Sequence, residues 1–295
     1  MSDIIGLECV FMNEVLRLPG LAWRRAVNSL ALLRHTGQVD AVLASYPKSG
    51  RTWFRFILSS YLAERFGLMP AVDLHMMFRV MPNFDMDQTR GIPAFVFGAH
   101  RPRPPLVAVS HLPCSRLQFR NPPVIFMLRD PRDVMVSAYF HATRQKHRFR
   151  GGMEPFLRDP DQGIAAMVHY LNGWASGLQH RRHLVVTYEG LTRDPQAETA
   201  RVLGFLNVEV VAGELERAVA AGQFRNMQIL EQADGLPGHE YDRSDRESLR
   251  MRQGKVRGFA DYLRPAEVEL IQTTCARELS PAAQELLSRT GWRAG

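Results

Sequence analysis

The chain has 295 residues, 45% of them hydrophobic and 23% charged, a mix that fits a soluble globular protein with a sizeable core and excludes disordered, collagen-like and repeat architectures. Its formal net charge of +7 favours anionic partners, yet no long run of like charge occurs, so a nucleic-acid-binding arm is not expected. Cys9, Cys114 and Cys275 are too few and too widely spaced for a disulfide framework or a zinc pattern, no apolar run is long enough to span a bilayer, and Asp3, Glu8 and Glu14 argue against a cleaved leader, so a cytoplasmic location is expected.

Residues 11–34 place Leu16, Leu18, Trp23, Val27, Leu30 and Leu33 among arginines, the pattern of an amphipathic helix broken at Pro19-Gly20. Residues 1–38 are therefore read as a helical extension packed on the body, with peripheral membrane contact as the alternative. Residues 40–46 form an apolar strand, followed by a turn and a helix from 52 to about 65. A second strand is read at 106–110 and a third at 123–128, with a helix from Pro131. A fourth falls at 183–187, followed by Tyr188 and a helix at 195–206. Apolar strands alternating with helices predict an α/β fold, with a central parallel sheet flanked by helices on both faces. No composition break divides 39–295, which is read as one domain, mostly helical in its last third and with a Gly-rich, basic insertion at 252–258.

Tyr46-Pro-Lys-Ser-Gly-Arg-Thr-Trp53 lies between the first strand and its helix, where backbone amides and the positive helix end suit a phosphate. Against the nucleoside-triphosphate pattern G-x-x-x-x-G-K-[ST], Arg51 stands at the lysine and Ser45 at the first glycine. An ATP-dependent kinase is thus the alternative function, and an ordinary strand-turn-helix the bland one. Only Lys48, Lys146 and Lys255 are lysines among 37 basic residues. A lysine kept at 48 marks a place where a compact ammonium is not exchangeable for a planar guanidinium.

Arg129-Asp-Pro-Arg-Asp-Val-Met-Val-Ser137 follows the third strand, with Asp130 as helix cap and Pro131 at the first helical position. Arg129 stands at a strand's carboxyl end, where open parallel sheets place ligands. Ser137 either faces a ligand or bonds back to its own helix. Val109-Ser-His-Leu-Pro113 ends the second strand, leaving His111 as a structural residue or a base with an ordinary pKa near 6.5.

Together these stretches resemble the sulfotransferases that use 3′-phosphoadenosine 5′-phosphosulfate (PAPS), whose signature is close to Y-P-K-S-G-T-T-W; only Arg51 departs from it. The resemblance implies a fold like that of nucleotide kinases, no metal, and a small-molecule hydroxyl acceptor. It implies that Lys48, Ser49, Gly50, Arg51 and Thr52 hold the 5′-phosphate, that Trp53 lies on the adenine, and that Arg129 and Ser137, eight residues apart, grip the 3′-phosphate. Tyr188 in Tyr-Glu-Gly matches a nucleotide-contacting Y-E-D, and Phe224 in Phe-Arg-Asn-Met an adenine-packing F-x-x-M. Arg252, Gln253 and Gly254 match the R-K-G that closes over the 3′-phosphate, with Gln253 in the lysine's place and Lys255 and Arg257 close by. His111 matches the family's base, Lys48 its transition-state stabiliser, and 3′,5′-bisphosphoadenosine (PAP) is the product expected. Five methionines (69, 76, 77, 81 and 86) with Phe78, Phe84, Phe95 and Phe97 are read as loops over a phenol or apolar alcohol.

Overall fold

In the computed structural model the described residues are 32, 35–96, 103–114, 121–237 and 240–293. Apart from residue 32, the amphipathic segment 11–34 lies outside them. Four strands, β1 (Ala41–Ser45), β2 (Val107–Ser110), β3 (Val124–Leu128) and β4 (His183–Thr187), form one parallel sheet in the order β2-β1-β3-β4. Leu43 pairs with Val109 on one side and Ile125 on the other, and Met127 pairs with Val186.

The strands are apolar at nearly every position because both faces are covered. Val42, Ala44, Ala108, Val124 and Phe126 pack towards one face, against α2 (Pro131–Phe140), α3 (Ile164–Leu178) and the C-terminal pair α8 (Pro265–Glu278) and α9 (Pro281–Ser288). Leu43, Val107, Val109, Ile125 and Met127 pack towards the other, against α1 (Arg51–Arg65), α5 (Pro195–Phe205) and α6 (Ala212–Ala221). A third cluster joins Phe56 of α1 to Leu74, Met77, Phe78, Met227, Leu236 and Met251. It anchors α7 (Phe224–Asp234) and the 249–254 segment over the carboxyl end of β1.

Several helix starts follow from side-chain capping. Asp130 accepts from the Arg132 amide at α2, Thr187 from Gly190 at α4 (Tyr188–Arg193), and Asp194 from Ala197 at α5. Helix α1, like α3, α6 and α7, starts without a side-chain cap; it is preceded by Gly50, in the left-handed region at φ 93°. Its amino end is left for something else to satisfy.

The methionine-rich stretch corrects one expectation. Met77, Phe78 and Met81 are buried in core clusters, as are Phe84 and Phe95, and none borders the cavity at the strand ends. These side chains act as core, while Met76 is exposed; Phe97 lies outside the described residues.

Candidate active site

Every strand contributes its carboxyl end to one cavity of about 320 Å³, as the switch point of an open parallel sheet requires. Lys48 and Gly50 enter after β1, His111 after β2, Arg129 after β3 and Tyr188 after β4. Thr52, Trp53, Ser137, Phe224, Arg252, Gln253 and Gly254 also border it, and so does Arg51.

The loop after β1 is bent by two left-handed residues, Lys48 at φ 72° and Gly50 at φ 93°. For Lys48 that conformation is strained, of order 1 kcal/mol, a cost found mostly at functional sites. Gly50 is required sterically, since a β-carbon there would run into the Tyr188 ring. Trp53 donates through Nε1 to the Gly222 carbonyl at 2.7 Å and stands edge-on to Tyr188, ring centres 5.6 Å apart. Burial, with Arg250 next, holds the Lys48 ammonium well below its ordinary pKa.

Helix α2 and the turn that continues it present a stripe with four-residue spacing to the cavity: Asp133, Ser137 and His141. Asp133 accepts from the Arg257 and Phe259 amides, both at 2.8 Å, and so pins the basic insertion to α2. It also pairs with Arg129 at 3.8 Å, whose guanidinium lies 4.1 Å from the Tyr188 ring centre. Arg252 is clamped between the Phe140 and Tyr262 rings, 4.4 and 4.6 Å away, and pairs with Glu247 at 3.2 Å. Gln253 donates to the Tyr262 hydroxyl at 2.8 Å. Phe224 lies flat against Gly254, which has φ 67° and no room for a side chain.

His111 places Nδ1 2.7 Å from the Ser45 carbonyl oxygen. A carbonyl only accepts, so Nδ1 carries the proton and Nε2 keeps its lone pair. Burial, then Arg51, holds the imidazolium well below the usual range, so the ring is neutral at neutral pH. Ser49 departs from expectation: it is buried, its hydroxyl donates to the Tyr46 carbonyl at 3.0 Å, and it does not border the cavity. Its side chain braces the loop because the tight turn aims it inward.

His141, Arg250 and Asp133 belong to the cavity but were not singled out from the sequence as site residues. The four-residue spacing from Ser137 could have found His141 and Asp133, and Arg250 lies two positions before Arg252. His141 begins a π-helical turn (His141–Gln145), a local widening common at functional sites.

Residues 38–289 match the family described as "Sulfotransferase domain". The chain belongs to this sulfotransferase family. At the level of the family, that means an enzyme transferring a sulfuryl group from PAPS. This sulfotransferase is similar to a guinea-pig (Cavia porcellus) 3-alpha-hydroxysteroid sulfotransferase, 25% identical over 84% of this chain and 86% of the relative. It is likewise similar to a rabbit (Oryctolagus cuniculus) amine sulfotransferase, 25% identical over 76% of this chain and 75% of that protein. Its fold resembles that of mouse sulfotransferase SULT7A1 complexed with PAP, at a TM-score of 0.56 and 19% identity over 89% of this chain and 94% of that one.

Proposed function

We propose that this sulfotransferase moves the sulfuryl group of PAPS to the hydroxyl of a small phenol or alcohol, with His111 as base and Lys48 as stabiliser of the leaving phosphate. The observation that carries this is the convergence of an uncapped helix start, a half-buried lysine and a neutral histidine with a free Nε2 on one cavity.

The residues present fit the nucleotide. Gly50, Arg51 and Thr52 offer the unpartnered amino end of α1 to the 5′-phosphate. Arg129, Ser137, Arg252 and the Gly254 turn face the place for the 3′-phosphate, while Trp53, Tyr188 and Phe224 supply aromatic surface for the adenine. Bound there, PAPS supplies an activated sulfuryl group. His111 Nε2 takes the acceptor's hydroxyl proton as its oxygen attacks. With the donor bound, Lys48 would donate to the bridging oxygen, which gains negative charge as its bond to sulfur lengthens. Desolvation keeps the His111 ring unprotonated and ready.

The test is transfer of labelled sulfate from PAPS to a panel of phenols, alcohols and amines, in the presence of excess EDTA. Sulfated phenol or alcohol products from the wild type, lost in His111→Ala while PAP binding persists, are expected. Transfer to amines alone, or a His111→Ala variant with full turnover, would contradict the assignment.

A further inference from the structure

The donor grip described above draws on the Arg51 amide and leaves its guanidinium without an assigned partner. Arg51 is also the single departure from the family's loop signature. It borders the cavity and acts electrostatically on both His111 and Tyr170 of α3. Its Nη1 is buried without a hydrogen-bond partner among the described residues, whereas Tyr170 is only 5% exposed and does not border the cavity. Tyr170 is held in place edge-on against Tyr46, ring centres 5.4 Å apart.

Among the described residues no carboxylate pairs with this guanidinium. Asp133, the acid in the cavity wall, is engaged by two amides and Arg129. Arg250 and His141 extend the same wall and add no negative charge. His141 is oriented by a relay: the Gln145 amide donates to the Ser248 carbonyl, so its oxygen accepts from His141 Nδ1. A buried donor without a partner is unfavourable by roughly 1–3 kcal/mol, more when charged, and a guanidinium fork matches an oxyacid in two parallel hydrogen bonds.

We propose that the acceptor carries an acid group, carboxylate or phosphate, near the hydroxyl that is sulfated, and that Arg51 binds this group. The inference rests on the sulfotransferase assignment and narrows its acceptor class. The bond changes are unaltered: the acceptor O–S bond forms, the S–O bond to the 5′-phosphate breaks, and the hydroxyl proton passes to His111.

Three probes separate the possibilities: 4-hydroxyphenylacetate, its methyl ester and 4-hydroxybenzylphosphonate. Each is measured as a sulfate acceptor and, by calorimetry, as a ligand of the PAP-loaded protein. One of the two acids is expected to exceed the ester by about tenfold or more in kcat/KM and in affinity, and which one leads identifies the acid group. In Arg51→Thr the acid-to-ester ratio should fall to about one, whatever happens to absolute rate. Equal treatment of acid and ester by the wild type, or an acid preference that survives Arg51→Thr, overturns the proposal and leaves the sulfotransferase assignment standing. Failure of the protein to load PAP at all would contradict that assignment and the proposal with it.

Discussion

Lys48 stands half-buried in a wall that also holds Arg129, Arg250 and Arg252, so its ammonium is destabilised until an anion arrives. That makes it a strong partner for charge that develops on a leaving oxygen. Lys48→Ala is expected to lower kcat by about 10²–10³, the usual effect of removing one transition-state donor, measured at saturating donor. Lys48→Arg should rescue little, because the fork spreads its hydrogen bonds over two acceptors. His111 allows a signed pH expectation. In the free enzyme its pKa lies well below 6.5, through burial and then Arg51. A bound anionic donor offsets the fields of Arg51 and Lys48 and raises that pKa. The acid limb of kcat should therefore fall at higher pH than the acid limb of kcat/KM for the donor. Coincident limbs would remove His111 as the titrating base.

Glycine geometry sets the donor site at the level of elements. The basic insertion reaches the cavity because Asp133 of α2 accepts two of its amides and Phe224 of α7 lies against Gly254. Gly254→Ala combines a left-handed backbone with a β-carbon driven into that ring. It should raise the donor's KM at least tenfold and leave the acceptor's KM nearly unchanged in initial-rate kinetics. The four strands and α2 were legible in the sequence because short apolar runs ended on strong local signals, such as Asp130-Pro131 and the turn at Gly50. Tyr188 and Phe224 were placed only through motif resemblance, since their partners, Arg129 and Gly254, lie far away in the chain. Helix α3 went unread although Ile164, Met167, Val168, Leu171, Trp174, Ala175 and Leu178 are spaced as one buried helical face. The methionine stretch misled for a physical reason: prolines and aspartates correctly marked loops, but α1 and α7 fold over those loops and turn Met77 and Phe78 into core.

For the molecule as a whole, folding stability should respond to pH through two opposed groups. Burial, then Lys48, pushes His141 down to about 3, so below pH 6.5 the unfolded chain takes up a proton that the native state refuses, and stability falls with pH. Burial pushes Glu189 up to about 7, so its contribution is lost in the opposite direction, as pH rises from about 4.5 to 7. Thermal unfolding of the free protein between pH 4 and 6.5 is expected to be less acid-sensitive in His141→Asn than in the wild type, and more acid-sensitive in Glu189→Gln. The central claim is that the strand-end cavity is built for a nucleotide carrying a 3′-phosphate as well as a 5′-phosphate. Calorimetric titration of the wild type with PAP, with adenosine 5′-monophosphate and with ATP tests it most directly. Two charge-assisted contacts at about 1.5–3 kcal/mol each, from Arg129 and Arg252, should make PAP bind about 10²–10⁴ times more tightly than the monophosphate, and also more tightly than ATP. Equal affinities for PAP and the monophosphate, or a preference for ATP, would contradict it.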